Sequence, residues 1–407
     1  MFAHPKAPKS AAAEPRRVRF GLLAALCVLV LAVAASCSGD PDAREREPDA
    51  TLDASDDGAS ADVDSTESWG EFPDDDRDQL QSQLDLAVSN LGLPGAAIAV
   101  ARVPERTMWV GASGNVAPDS TEAWDVDRLF RIGSVTKTFT TAIVLQLVSE
   151  GVVSLDDPLE RWVPGYYDDQ GVTVRHLVTN TSGIVSYNYV GEFDESREWT
   201  PEELVQWAVD HEPDVQFVPG SDFDYSNTNF VLLGMLIEAA TEGTYADAVE
   251  SRLLEPLGLA QTYVASAGDD NPRIVPAFDA DGREMTDAAD PSMGYSAGAI
   301  ATTPGDLARW AAALYGGEVL TDEMLGSMTT PAVQVNPGEQ YGMGAFIEGE
   351  GAETTIGHSG GIGGYLTYMY YLESEATVVV VMTNVRDTDL RELAAYGWSV
   401  VLGVPYP

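Results

Sequence analysis

The strand signals in this chain lie in two groups far apart, the stronger toward its C-terminal end, with helical patterns between them. YLTYMYYL from Tyr365 and ATVVVVMTN from Ala376 are nearly unbroken runs of β-branched and aromatic residues, the composition that favours strands. Toward the other end, GAAIAVAR from Gly95 and TMWVGASG from Thr107 are two short runs parted by polar residues, as in a hairpin. Leu80, Leu84, Val88 and Leu91 recur at helical spacing ahead of them, and a last helix is expected from about Leu390 to Leu402. Between roughly 135 and 290, TFTTAIVLQLVSEG, PEELVQWAVDH and NFVLLGMLIEAATEG read as helices. Strands at both ends imply one antiparallel sheet completed by both termini. The expected fold class is α/β in the α+β sense, with the sheet flanked by terminal helices and a helical lobe inserted over about 140–290. A cleft between lobe and sheet is where a site is expected.

With 407 residues, of which 44% are hydrophobic and 21% charged, the chain can bury a large core in two lobes. Its 22 basic and 65 acidic residues leave a formal charge of −43, which repels nucleic acid and anionic lipid, so no nucleic-acid partner is expected. The two cysteines, Cys27 and Cys37, both precede the body, which therefore contains no disulfide. Lys6, Lys9, Arg16, Arg17 and Arg19 come before an apolar run, FGLLAALCVLVLAVAAS, from Phe20 to Ser36. This is the layout of an export signal. The run ends in Ala34-Ala35-Ser36-Cys37, which resembles the lipobox of bacterial lipoproteins, departing from it at Ala34 where Leu is usual. The resemblance implies lipidation at Cys37 and a membrane anchor on the outer face of the cell; cleavage after Ala34 and simple secretion is the alternative. Residues 38–76 are acidic and poor in large apolar side chains, and read as an extended linker ahead of a folded domain at 77–407.

Lysine is almost absent. After Lys9 the only one is Lys137, while arginine supplies the remaining basic charge of the body. Unlike arginine, a desolvated lysine can give up its proton. Three residues earlier stands Ser134, in Ser134-Val135-Thr136-Lys137, so on a helix the hydroxyl and amine would be neighbours. The apolar FTTAIVLQLV that follows would put the pair at the start of a buried helix, where free N–H groups favour developing negative charge. A serine becomes a useful nucleophile when an adjacent base takes its proton. Taken alone, the spacing also fits an N-cap beside a surface charge.

Two more segments bear on that choice. Tyr225-Ser226-Asn227 forms a turn ahead of an apolar helix, and His358-Ser359-Gly360 lies just before the strongest strand. With SVTK, YSN and HSG in this order, the sequence resembles the superfamily of serine β-lactamases and D-alanyl-D-alanine peptidases, in its class C β-lactamase-like branch. VTVRHLVTNTSGI from Val172, PLGL from Pro256, SAGAIATTPGDLARW from Ser296 and YGMGAF from Tyr341 extend the resemblance over about 80–385. It departs at Asn180, where relatives often carry His, and at His358, where the β-lactamases proper usually carry Lys. The resemblance implies a β-lactamase/transpeptidase-like fold and an acyl-enzyme formed at Ser134. Lys137 would help deprotonate that serine. Tyr225 would share the base role and then protonate the leaving group. Asn227 would hold Lys137 and the substrate amide, and His358, Gly360 and Gly361 would form the substrate and oxyanion wall, with the N–H groups of Ser134 and Gly361 as the oxyanion donors.

Other constellations are weaker. Ser296 and Ser359 each sit in a G-x-S-x-G pattern. No His follows Ser359; Ser296 has Asp306 and His358 downstream but an acidic, Pro-broken segment where a nucleophile elbow needs a strand. His176 reads as a structural residue at a helix start, and His211, between Asp210 and Glu212, as part of a surface loop. No metal-ligand spacing, P-loop or dinucleotide fingerprint appears, so no metal or cofactor is expected. The resemblance implies a small peptide, ester or β-lactam as substrate. A neutral His358 supplies no cation for a substrate carboxylate, which favours D-alanyl-D-alanine carboxypeptidase-like peptide or ester hydrolysis over strong β-lactam turnover. The alternatives are a short-chain esterase or weak β-lactamase on the same fold, and a penicillin-binding receptor without turnover.

Overall fold

The computed structural model describes residues 69–403; the segment read as an export signal, Cys37 and most of the stretch read as a linker lie outside the described residues. The strands are β1 (Gly70–Glu71), β2 (Gly95–Arg102), β3 (Thr107–Gly114), β4 (Phe130–Arg131), β5 (Tyr263–Val264), β6 (Ile300–Thr302), β7 (Val333–Asn336), β8 (Glu339–Tyr341), β9 (Phe346–Glu348), β10 (Thr355–Ile362), β11 (Tyr365–Leu372) and β12 (Thr377–Thr383). The first helices are α1 (Asp74–Leu91), α2 (Thr136–Ser149), α3 (Val174–Val178), α4 (Pro201–His211) and α5 (Asn227–Thr241). They are followed by α6 (Tyr245–Val249), α7 (Glu255–Leu257), α8 (Tyr295–Gly298), α9 (Pro304–Tyr315), α10 (Asp322–Thr329) and α11 (Leu390–Val401).

The main sheet has nine strands in the order β1-β3-β2-β12-β11-β10-β9-β8-β7. The first and last parts of the body therefore meet at its centre, where β12 pairs antiparallel with β2, Val380 opposite Ala99 and Met382 opposite Ala97. Both faces of this centre are covered. Ala96, Ile98 and Val100 of β2, Val379 and Val381 of β12, and Tyr368 and Tyr370 of β11 pack on one side with Leu80 and Leu84 of α1 and Leu393 of α11. The alternate residues, Ala97, Ala99, Ala101, Val378, Val380, Met382 and Met369, join the larger core on the other side, with α2, α5 and α9. A strand buried on both faces has no polar positions to alternate with, which is why these segments are unbroken apolar runs. Helix α2 is buried on nearly every side, its threonines included, enclosed by α5, α8 and the sheet.

Three features depart from the sequence expectation. Strand β1 pairs parallel to β3, Gly70 opposite Thr107, so the sheet is not wholly antiparallel. Ordered structure also begins ahead of residue 77. Asp74, Asp75 and Asp76, which read as linker, form the first turn of α1, where negative charge meets the positive end of the helix dipole. Phe72 is buried under the Arg102 guanidinium, 4.5 Å from its ring centroid. Finally, β7, β8 and β9 widen the sheet and β4, β6 and β5 form a second, three-stranded one. Each of these six is two to four residues long, too short for alternation to show in sequence.

Candidate active site

The start of α2, the loop before α5 and the edge of β10 converge on one cleft. Ser134 occupies the 3-10 turn Gly133–Val135 that leads into α2. That turn lies directly against β10. Gly133 has φ +51°, and a Cβ there would meet the backbone of Gly361 at 2.7 Å; a Cβ on Gly360 would meet the Ile132 carbonyl oxygen at 2.0 Å and the Ser134 nitrogen at 2.9 Å. Only glycines allow the serine turn and the strand to approach this closely. Strand β9 pairs with β10 only through Thr355–Gly357, so from His358 onward this edge of β10 has no strand neighbour and faces the serine turn.

Lys137 is fully buried in the first turn of α2. Its Nζ lies 3.0 Å from Ser134 Oγ and donates to Asn227 Oδ1 at 2.7 Å and to the Ala297 carbonyl at 2.8 Å. No carboxylate pairs with it among the described residues, and burial alone holds its pKa well below the ordinary lysine value. Nζ thus has three oxygen partners; once deprotonated, the amine keeps two N–H groups for the carbonyl oxygens and a lone pair for the Ser134 hydroxyl. The Tyr225 and Phe230 rings lie 5.0 and 5.3 Å from Nζ and stabilise the cation that forms when it takes a proton.

Tyr225 reaches the cleft from the loop before α5. Its hydroxyl bonds with Ser134 and lies 3.5 Å from His358 Nε2. Burial pushes the phenol pKa up, which favours its protonated form, whereas burial of Lys137 favours the neutral amine. Asn227, the first residue of α5, orients the lysine; its Nδ2 donates to Asn188 Oδ1 at 3.0 Å and its backbone N–H to Ser186 Oγ at 2.9 Å. His358 is 1% exposed, packed among the rings of Tyr225, Tyr341 and Phe346. It stands behind Tyr225 and not on the cleft wall, because strand alternation turns His358 inward and Ser359 and Gly361 outward. Burial first, and Lys137 second, push the imidazole down to about 3. It is therefore neutral, with Nδ1 bonding to the Ser359 carbonyl. Gly361 lines a cleft of about 620 Å³ together with Asn188, Asn227 and Arg386.

The structure thus brings Ser134, Lys137, Tyr225, Asn227, His358, Gly360 and Gly361 together. The Ser296 alternative does not assemble. Ser296 is buried in α8 with its hydroxyl on the Phe230 carbonyl, a 3-10 turn precedes it in place of a strand, and Asp306 binds Gln261, Thr262 and Arg309. His176 accepts the Thr173 N–H in the capping box of α3, and His211 is the exposed last residue of α4 and not part of a loop. One positioning residue, Asn180, was visible in sequence only as a departure from the usual His. With φ +54°, it accepts the Asp224 N–H on its carbonyl at 3.1 Å and the Ser226 N–H on Oδ1 at 3.2 Å, holding the chain on both sides of Tyr225.

An amine whose pKa is lowered by burial, 3.0 Å from a serine hydroxyl, is the arrangement of a serine hydrolase. The chain matches the Beta-lactamase family model over residues 78–402 and belongs to that family. It is similar to a penicillin-binding protein of Bacillus subtilis (strain 168), 28% identical over 304 residues, which are 68% of this chain and 66% of the relative. It is also similar to the D-alanyl-D-alanine-carboxypeptidase/endopeptidase AmpH of Escherichia coli (strain K12), 25% identical over 302 residues, 69% of this chain and 77% of the relative. Among solved structures, a D-stereospecific amidohydrolase from Streptomyces sp. superposes with a TM-score of 0.70 at 31% identity, covering 82% of this chain and 100% of that one.

Proposed function

We propose that this protein is an exported serine acyl hydrolase acting on short peptides that end in D-alanine, in the manner of a D-alanyl-D-alanine carboxypeptidase. The observation that carries the reading is the three-way contact of Lys137 with Ser134, Asn227 and Ala297. Lys137 takes the Ser134 proton as Oγ attacks the carbonyl carbon. The developing oxyanion is received by the N–H groups of Ser134 and Gly361, where the glycines press β10 against the serine turn. The Tyr225 hydroxyl gives its proton to the departing nitrogen and is refilled from the lysine ammonium. Water then attacks the acyl-serine along the reverse proton path. The named activities of the carboxypeptidase and amidohydrolase relatives support acyl transfer from a D-residue.

The test has two parts. A fluorescent penicillin should label the wild-type protein, and peptide mapping should place the label on Ser134. A diacylated lysyl-D-alanyl-D-alanine peptide should release D-alanine catalytically, with the release falling by at least ~10³-fold in Ser134→Ala. Stoichiometric labelling without turnover of peptide or ester would instead identify a receptor, and label on any other residue would reject Ser134 as the nucleophile.

A further inference from the structure

Two residues before the serine turn stands Arg131, a buried cation that the acyl-transfer steps leave unused. It lies in β4 and is 5% exposed. Among the described residues no carboxylate pairs with it, and every hydrogen-bond partner of its guanidinium is a backbone carbonyl. Nη1 donates to Thr286 at 3.1 Å and to Ala289 at 3.4 Å, and Nη2 donates to Asp269 at 3.2 Å. The Tyr365 ring centroid is 5.8 Å from the guanidinium carbon. A charge buried without a counter-ion is costly unless bonded dipoles replace its water, so these carbonyls are what keeps it there. All three belong to one loop. Residues 265–290, between β5 and the 3-10 turn Pro291–Met293, contain neither helix nor strand. Loops of that length inside a packed domain are uncommon and tend to serve a site. Asp269 lies on the outgoing limb and Thr286 and Ala289 on the returning one, so a single guanidinium ties both limbs together. The middle of the loop is held separately, Val275 accepting from Tyr365 Oη at 2.7 Å and Pro276 from Asn384 Nδ2 at 2.6 Å.

The returning limb joins the two rims of the cleft. A Cβ on Gly363 would lie 3.5 Å from the Met285 carbonyl oxygen and 3.8 Å from Ala289 Cβ. One residue on, the Asp290 N–H donates to the Glu195 carbonyl at 2.8 Å. Gly363, Glu195 and Met293 all line the cleft. Helix α8, which presents the Ala297 carbonyl to Lys137, has ties of its own: Thr140 Oγ1 donates to the Ser296 carbonyl at 2.6 Å and Ser296 Oγ to the Phe230 carbonyl at 2.8 Å. We propose that Arg131 is a positioning residue of this cleft. By clasping both limbs of the 265–290 loop it fixes the wall from Ala289 to Met293, along which an extended substrate is held beyond the reacting carbonyl. A shorter side chain would leave three buried carbonyls without donors, and the limbs would part. A lysine keeps the charge but brings three donors from one point instead of a planar fork, so it meets the two limbs less well. The proposal rests on the acyl-hydrolase reading above and concerns how the same site holds a long substrate.

The test compares p-nitrophenyl acetate, whose acetyl group fills only the space beside Ser134, with the diacylated lysyl-D-alanyl-D-alanine peptide. In Arg131→Ala the ratio of kcat/KM for the peptide to that for the acetate should fall roughly tenfold, with the loss in KM. Dilute guanidinium chloride should restore much of that ratio, and sodium chloride or urea at the same concentration should not. Arg131→Lys should give an intermediate ratio, and it carries the comparison if the alanine variant does not fold. An unchanged ratio, a loss in kcat alone, or equal recovery with sodium chloride overturns the proposal. Hydrogen exchange tests the clasp without turnover. Adding Arg131→Lys to Ser134→Ala protein should speed exchange in residues 266–290 by roughly tenfold while α2 and α5 keep their rates; unchanged rates in 266–290 overturn the clasp. If wild-type protein turns over neither substrate, the hydrolase reading fails, and the exchange result decides the clasp by itself.

Discussion

In the proposed mechanism Lys137 accepts the serine proton, and its surroundings disfavour its charged form. It is enclosed, meets two carbonyl oxygens and a hydroxyl, and has no carboxylate partner. Its pKa is lowered, so the active form is the deprotonated one, and kcat/KM should rise with pH through that lowered value and level off below the range of a free lysine. His358, pushed down to about 3, should add no limb near neutrality. Tyr225, pushed up, stays protonated through the same range. A chromogenic ester followed across pH should therefore show one rising limb, and Lys137→Arg, which keeps a charge it cannot lose, should lower kcat by roughly 10²–10⁴-fold. A limb near about 6.5 that vanishes in His358→Gln would make the imidazole the base and dismiss the lysine. At this scale much of the site was legible in sequence: a lone lysine three residues after a serine is a local pattern. Asn180 was not, because its role depends on a left-handed backbone and on amides of Asp224 and Ser226, more than forty residues away.

Among the elements, the contact between the serine turn and β10 is the tightest constraint on the chemistry. A methyl group on Gly360 would overlap the Ile132 carbonyl oxygen and crowd the amides of Ser134 and Val135. Backbone atoms cannot swing aside as a flexible side chain does, so the strand must move off the turn. Gly360→Ala should cost about 1–3 kcal/mol in denaturant unfolding and lower kcat by at least ~10²-fold through the displaced oxyanion donors. Gly326→Ala in α10 is the matched control. Nothing lies within 4 Å of its added methyl, and it should stabilise the helix by about 0.5–1 kcal/mol with activity retained. Equal kcat in the two variants would show that the approach of β10 to Ser134 is not what sets the rate. The long elements, α1, α2, α5 and the central strands β2, β11 and β12, were readable because each carries an apolar pattern over seven residues or more. The short ones were not. Strands β4, β5 and β6 exist because each finds a partner more than thirty residues away, and two or three residues hold no period to read.

For the whole molecule, the acidic stretch and the apolar run before the body bear on where the protein works. We propose that Cys37 is lipidated and that the acidic segment spaces the domain from the membrane. Radioactive palmitate fed to cells making the full-length chain should enter the wild-type protein and not Cys37→Ser, which should move from the membrane fraction to the medium. Label retained in Cys37→Ser would end the lipoprotein reading. The body itself closes on its own ends: β2 and β12, separated by over 270 residues, are neighbours at the sheet centre. This closure is what carries Ser134, Tyr225 and Gly361 from three distant segments to one cleft.

The amino-acid order alone determined which side chains could do chemistry here, since nucleophile, amine, phenol and glycines are local groups in recognisable neighbourhoods. It also determined that the chain must close a sheet through both ends, since apolar runs of that length need burial. Protonation states and charge placement were decided only by the tertiary structure. His358 became a buried neutral ring behind Tyr225, Asp74–Asp76 became a helix start, and Arg386 came to line the cleft. The physical reason is that desolvation and Coulomb interaction depend on what surrounds a group in space, and those neighbours come from segments far away along the chain.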